Sequence, residues 1–570
     1  MVLPRLLSSA LFFTLAGSTS ASQPSAKCHS DVTYNGLSRN GIEIFLGIKY
    51  AQDTSGPNRF KPPKPYVPIF GSKIDATTPG SACPQQLGQW LLPLGYENIT
   101  QISEDCLNLN VARPKGTRAG AKLPVMVWIH GGSFWVGSNM EPTTAPDGII
   151  LESVKNGLPV ISVAINYRLG LFGFAQSAAL HDEGSLNAGL RDQRLAIEWV
   201  RDNIAQFGGD PSRITIHGQS SGGLAIGMQF MAYGGSKPLP FQRGICQSQC
   251  LEPGITGNFT LDAMRDIANY VHCNTTSIHS AETVSCLRGL DTQTLFNASS
   301  ETRHAGIENN IGDIWLPAVD GDFLPAPPSQ LIREGRLGKA TMMGGWADGD
   351  LNFFTDFSIS SENAAFSFIS TYGHFLPPHI VNKLLSLYPS SEFTPPPSTN
   401  LTAEFYRTAR IFRDIVMACE PLLLGEAMHK AGNDVYLYDF NQTILEPILE
   451  SATNVSNMGV IHTTEFAYIW GNLSAYDVLG NPFNPTPSDY ALQHRASRTW
   501  STFASLGRPS LKGKDTVQGF KEAYSSKKKP EIFVIGGPGE GLSTREMQRQ
   551  KLNERCAFIN SPEVIGYLQF

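Results

Sequence analysis

Residues 214 to 232 hold the arrangement that most restricts how this chain can fold. Ile214-Thr-Ile216 reads as a short apolar strand and Gly222 to Ala232 as a helix of small and apolar residues. Between them lies His217-Gly218-Gln219-Ser220-Ser221-Gly222. A strand that enters a helix through Gly-x-Ser-x-Gly must turn sharply, and the flanking glycines let neighbouring backbone approach with no Cβ in the way. The turn pushes the Ser220 side chain out at the strand's C-terminal end. It also points the first N–H groups of the helix at the same spot. The pentapeptide alone recurs by chance in roughly one chain in three of this size, so its weight comes from the strand before it and the helix after it.

The same alternation surrounds it. Val125 to Ile129 and Leu158 to Ala164 read as buried strands, and later strands are expected at Ala340–Met343 and Val435–Phe440. Ala188 to Gln206 is expected to be helical, with Leu190, Leu195, Ile197, Val200 and Ile204 on one side. Phe207-Gly-Gly-Asp-Pro211 stops it. Strands alternating with helices predict a mostly parallel sheet covered on both faces. The first quarter shows short strands and turns and a proline-rich stretch at Pro62, Pro63, Pro65 and Pro68. Pro389 to Asn400 and Lys512 to Pro530, which includes Lys527-Lys-Lys529, read as exposed loops. No repeat or linker divides the chain, so residues 22–570 are expected to form one domain with large loop insertions.

A serine delivered in this way suits nucleophilic catalysis, given a base and a carboxylate to orient that base. His130-Gly131-Gly132-Ser133-Phe134 follows the strand ending at Ile129, where a Gly-rich turn supplies oxyanion donors. The expected donors are the N–H groups of Gly131, Gly132 and Ser221. Residue pattern leaves five candidate bases, His374, His379, His429, His462 and His494, the last inside an expected helix from Ala491 to Leu506. It leaves two candidate acids, Asp348 and Asp350, in the loop after the strand at Thr341–Met343.

Composition narrows the setting. The 570 residues carry 44 Lys plus Arg and 50 Asp plus Glu, a formal charge of −6, which argues against a nucleic-acid binder. With 41% hydrophobic residues the chain can build a large core. Arg5, the apolar run Leu6 to Ala16 and the small residues to Ser22 read as a secretory signal cleaved near Ala21. Eight Asn-x-Ser/Thr sequons, at Asn98, Asn258, Asn274, Asn297, Asn400, Asn441, Asn454 and Asn472, suit a secreted glycoprotein. Nine cysteines with no paired CxxC spacing point to disulfides rather than zinc, and the odd count leaves at least one outside intramolecular pairs.

Further motifs give the chain a resemblance to type-B carboxylesterases, the family of fungal lipases, carboxylesterases and cholinesterases. They run in order from Gly47-Ile-Lys-Tyr-Ala51 through Arg59-Phe-Lys-Pro-Pro63, Glu104 to Val111, Asn166-Tyr-Arg-Leu-Gly170 and Asn187 to Gln193. The serine signature Phe207 to Gly222 follows, and the resemblance extends to about Pro509. It implies an α/β-hydrolase fold, Ser220 as nucleophile, and His462, in Gly459-Val-Ile-His-Thr-Thr-Glu465, as base. Counting from Gly345-Trp346 or back from Phe353-Phe354 puts the acid at Asp350, with Asp348 as the alternative. Leu351 stands where a glycine is expected. The resemblance also implies disulfides Cys83–Cys106 and Cys273–Cys286, leaving Cys28, Cys246, Cys250, Cys419 and Cys556 unassigned. It casts Arg59 with Glu104 and Arg168 with Asp192 as structural ion pairs. Gln219 departs from the usual Glu, and Ser221 from the usual Ala.

The expected activity is that of a secreted serine ester hydrolase acting on a small-molecule ester through an acyl-enzyme, with no metal or cofactor. One alternative is a lipase acting on long-chain acylglycerols or sterol esters, whose Cys83–Cys106 loop is a lid meeting lipid through Trp90-Leu-Leu-Pro-Leu94. Another is a catalytically silent adhesion or binding module. Sequence leaves acyl and alcohol preference and oligomeric state open.

Overall fold

A computed structural model of the chain describes residues 23–28, 31–88, 94–95, 98–274, 276–306, 313–373, 376–478, 480–525, 530–542 and 544–570. The expected signal segment, Trp90 to Pro93, His374 and Lys527-Lys-Lys529 lie outside the described residues. At the centre is an eleven-stranded sheet. In chain order its strands are β1 (Leu37–Arg39), β2 (Ile42–Lys49), β3 (Asn108–Pro114), β4 (Leu123–Ile129), β5 (Ile161–Ile165) and β6 (Gly209–Gln219). They continue with β7 (Arg243–Gln247), β8 (Thr341–Ala347), β9 (Val435–Phe440), β10 (Phe533–Ile535) and β11 (Gly541–Leu542). Their order across the sheet is β11-β10-β9-β8-β7-β6-β4-β5-β3-β2-β1. The run from β5 to β10 is parallel, and the pairs at both margins are antiparallel. This is the α/β architecture expected from the alternation of strands and helices.

The strand sequences show why. β4 is buried almost end to end, as a central parallel strand must be. Its residues alternate between two cores: Val125, Val127 and Ile129 enter one, and Met126 and Trp128 enter the other. The second core includes Trp470 and Trp500. Helices Ala188–Asn203 and Ser221–Met231 pack into the first, and Pro487–Leu506 into the second.

Several elements run longer than expected. β6 begins at Gly209 because it pairs with β4 from Leu123 onward, beyond the apolar core that marks it in sequence. β8 continues to Ala347, carried by pairing with β9. The helix expected from Ala491 starts at Pro487, where Thr486 and Asp489 form a capping box. The helix from Ala188 ends in a 3-10 turn, Ile204–Phe207, closed by Gly208 at φ 93°.

Disulfides join Cys83 to Cys106 and Cys273 to Cys286, and a third joins Cys419 to Cys556. Cys28, Cys246 and Cys250 carry free thiols. Arg59 with Glu104 and Arg168 with Asp192 form buried bidentate pairs. No sequon asparagine is buried. Among the described residues no helix is long and apolar enough to cross a membrane.

Candidate active site

β6 ends at Gln219 and the helix starts at Ser221, so Ser220 alone makes the turn. Its backbone sits at φ 58° and ψ −133°, a strained conformation for a residue with a side chain. Two features hold it there. The Ser220 N–H donates to Gln247 O of β7 at 2.9 Å. The glycines on either side allow the packing: a Cβ on Gly218 would lie 2.6 Å from Gly222, and one on Gly222 would lie 2.2 Å from Ile129 O. The elbow read from the sequence is therefore built.

The strand β4 delivers His130-Gly131-Gly132 beside it. A Cβ on Gly131 would reach Gln219 O at 2.4 Å and Ser220 Cβ at 3.1 Å, so this glycine lets the loop lie against the elbow. Gly132 has φ 101°, and Ser133 and Phe134 also have positive φ, at 55° and 51°. Among the described residues the N–H groups of Gly131, Gly132 and Ser221 have no hydrogen-bond acceptor. His130 is buried, which pushes its pKa down to about 4. It stacks on Tyr167 and serves as a neutral spacer under the loop.

Ser221 has a role that sequence reading missed. Its hydroxyl accepts the Phe134 N–H at 3.1 Å, tying the Gly-rich loop to the elbow. An alanine here would leave the Ser221 N–H in place but lose this tether.

Of the candidate histidines, the structure brings His462 to the elbow. His379 is largely exposed beside Glu563, and His494 is half-buried beside Glu152. His429 stacks on Tyr524 in the helix Cys419–Lys430. His462 lies 4% exposed in the loop after Gly459, with Phe354 set edge-on to its ring. Its Nδ1 is 2.5 Å from Asp350 Oδ1, and its N–H donates to Asp350 O at 3.2 Å. Asp350 is fully buried, and its other oxygen, Oδ2, accepts the Ala347 N–H at 2.9 Å.

Asp348, the other candidate acid, faces away from the histidine. Its carboxylate lies 3.4 Å from Arg410 and 3.6 Å from both Arg413 and Arg549, and accepts from Gln550 Nε2 at 3.0 Å. Burial alone would raise its pKa, but the three arginines outweigh burial and hold the carboxyl below its ordinary value.

Two further groups border the histidine. Gln219, fully buried, places its side-chain nitrogen 3.0 Å from His462 Nε2. With Nδ1–H directed at Asp350, Nε2 carries a lone pair, so the Gln219 amide is the donor. Glu465 is buried behind, 3.3 Å from Gln247 Nε2, and burial together with the Asp350 charge raises its pKa to about 7. The signal for Gln219 was present as a departure from the usual Glu; Glu465 gave none beyond its place in the histidine loop. His217, inside the serine motif, is packed between Trp128 and Trp470, and burial lowers its pKa to about 3.

The assembled geometry is a strained serine, a set of uncommitted N–H groups beside it, and a histidine oriented by a buried carboxylate. Such a set can transfer an acyl group through a covalent serine intermediate. Among the described residues no cluster of His, Cys, Asp and Glu could hold a metal.

Comparison with known proteins identifies the family. A carboxylesterase family model matches residues 32–559. The chain is 51% identical over 546 residues to a secreted lipase of Arthroderma benhamiae, covering 95% of this chain and 94% of that protein. It is 36% identical over 554 residues to an inactive carboxylesterase-like protein of Byssochlamys spectabilis, covering 93% of each. Among solved structures, EstA of Aspergillus niger superposes with a TM-score of 0.75 at 23% identity, over 96% of this chain and 99% of EstA, a likeness of fold.

Proposed function

Because this chain belongs to the carboxylesterase family, we propose that it is a secreted serine ester hydrolase in which Ser220 is the nucleophile, His462 the base and Asp350 the orienting acid. The observation that carries the reading is the 2.5 Å contact between His462 Nδ1 and Asp350, next to a serine on a strained elbow.

At rest the Gln219 amide donates to His462 Nε2. When an ester enters, Nε2 turns to the Ser220 hydroxyl and takes its proton as Oγ attacks the carbonyl carbon. The carbonyl π electrons move onto oxygen, and the N–H groups of Gly131, Gly132 and Ser221 receive the oxyanion. Loss of one such donor typically slows the reaction about 100- to 1,000-fold. Asp350 keeps the proton on Nδ1 and stabilises the imidazolium. The oxyanion collapses and the carbon–oxygen bond to the alcohol breaks. His462 gives its proton to the departing alcohol, leaving an acyl-Ser220. Water then repeats the sequence, with His462 as base, and releases the acid.

The test is hydrolysis of p-nitrophenyl esters from acetate to palmitate by the wild type and Ser220→Ala. Activity on at least one ester that vanishes in the variant supports the reading. Equal activity in both removes Ser220 as nucleophile. A well-folded wild type inert on every ester favours the silent binding module. A long-chain optimum favours a second reading, hydrolysis of lipid esters, which the 51% identity to a secreted lipase supports.

A further inference from the structure

The proline-rich stretch of the first quarter forms a protruding apolar knuckle. Val67 is 77% exposed, Ile69 81% and Phe70 77%, with Tyr66 at 37% beside them. Scattered exposed apolar residues are ordinary; four within five consecutive positions are not. The knuckle is held firmly. Pro65 bridges to Ala51, the Tyr66 N–H donates to Tyr50 O at 3.1 Å, and the Ser72 N–H closes a turn onto Ile69 O at 3.1 Å. Pro65 and Pro68 fix φ at two of its positions.

Its place in the sheet is informative. Reading the register across the strands, Ile48 of β2 pairs with Leu109 of β3, Leu109 with Ile165 of β5, Ile165 with Ile129 of β4, and Ile129 with Gly218 of β6. Ile48 and Gly218 therefore sit in one row. Tyr50, which anchors the knuckle, and Ser220 each lie two residues beyond it, at the same edge of the sheet. Four strand spacings separate them, about 19 Å along that edge.

We propose that the Tyr66–Phe70 knuckle inserts into lipid surfaces and so lays the Ser220 edge of the sheet against them. The charges around it fit an anionic surface. Segment 61–75 carries Lys61, Lys64 and Lys73, with Asp75 as its one acid, on a chain of net charge −6. Asp75 is engaged by Thr77, while Lys64 and Lys73 flank the apolar tip in the open. Lysines beside inserted apolar residues add attraction to anionic headgroups. Area argues against a second copy of this chain as occupant. Val67, Ile69 and Phe70 together offer roughly 400–500 Å², well below what a stable protein interface buries. Inserted into lipid, the same side chains each gain from burial with no need for shape complementarity. The knuckle shares no residue with the Cys83–Cys106 loop, and binding to it is read without turnover.

The test is co-sedimentation with vesicles of phosphatidylcholine and phosphatidylglycerol, about four to one, using the secreted protein, residues 22–570. Wild type is expected to partition onto them. The double variant Ile69→Ser/Phe70→Ser is expected to bind at least about tenfold more weakly. Lys64→Gln/Lys73→Gln is expected to bind severalfold more weakly and to lose much of its salt dependence. Both should hydrolyse p-nitrophenyl acetate as the wild type does, and unchanged circular dichroism checks the fold if that ester is not a substrate. Wild type that ignores the vesicles, or an Ile69→Ser/Phe70→Ser variant that binds them equally well, overturns the proposal. So does a wild-type dimer that dissociates on the same double substitution without any vesicle binding.

Discussion

Replacing Asp350 with asparagine, beside the matching change at Asp348, separates the two carboxylates that the sequence left as rivals. The Asp350→Asn variant keeps the burial and the acceptor for the Ala347 N–H, so the loop should stay in place. It offers His462 Nδ1 an amide in place of a carboxylate, which favours the wrong tautomer and removes the charge that supports the imidazolium. The expected loss in kcat is about 10⁴-fold, or about 5 kcal/mol of transition-state stabilisation. The thermal midpoint should barely move. The Asp348→Asn variant does the reverse. It takes the Asp348 charge away from Arg410, Arg413 and Arg549, while Arg413 keeps its pair with Asp414. Since the Asp348 side chain is 24% exposed, solvent screening reduces the cost below that of a fully buried pair, to about 1–3 kcal/mol. The midpoint should fall by a few degrees while kcat stays within about tenfold of wild type. The Asp348 carboxyl is held below its ordinary value of 3.8, so its contribution is present above that pH. It is lost as pH falls through the lower, folded-state value, and the stability gap to Asp348→Asn should close in acid. The assay is p-nitrophenyl ester hydrolysis with a thermal melt on each protein. An Asp350→Asn enzyme of near wild-type rate, or an Asp348→Asn enzyme that is folded and dead, refutes the assignment.

Three other outcomes follow from contacts around the site. Glu465 titrates near 7 in place of the ordinary 4.5, so the folded state holds its proton more tightly and loses stability as pH rises between those values; Glu465→Gln should gain on wild type by about 3 kcal/mol across that window in denaturant melts. Gln219→Glu exchanges a donor to His462 Nε2 for an acceptor, which favours the protonated imidazole that Asp350 already supports. The acid limb of the kcat/KM profile should move to higher pH, with Phe354 and Glu465 as the other neighbours of the ring. Removing the Cys419–Cys556 bond, which spans 137 residues, should cost at most about 5 kcal/mol of unfolded-state entropy, seen as a lower denaturation midpoint in Cys419→Ser/Cys556→Ser.

Where the chemistry depends on local backbone, the sequence made it legible. Gly218 and Gly222 must be glycine because their Cβ positions are occupied by backbone, so the elbow is written as a pattern of spacing. The buried strands of the parallel sheet were visible as apolar runs, but their ends were not, because pairing with neighbours carries β6 and β8 past those runs. Contacts across long separations left less trace. Nothing near Asp348 and Asp350 says that one turns to a histidine more than a hundred residues away while the other turns to Arg410, Arg413 and Arg549. Residue pattern alone left both carboxylates open, and only family counting favoured Asp350. Cys419 and Cys556 gave no spacing signal, since they meet only after the C-terminal helices fold back on the helix Cys419–Lys430. The Ser221 hydroxyl was read through its N–H alone, because its partner, the Phe134 N–H, lies 87 residues upstream.

The central claim is that Ser220 carries the acyl group. Diethyl p-nitrophenyl phosphate tests it most directly, because it stops the reaction at a covalent serine ester. The prediction is release of one p-nitrophenol per chain, loss of esterase activity, and a diethylphosphoryl adduct on the peptide containing Ser220 that is missing from Ser220→Ala. Stoichiometric labelling of another residue, or ester hydrolysis that persists in Ser220→Ala, would contradict it.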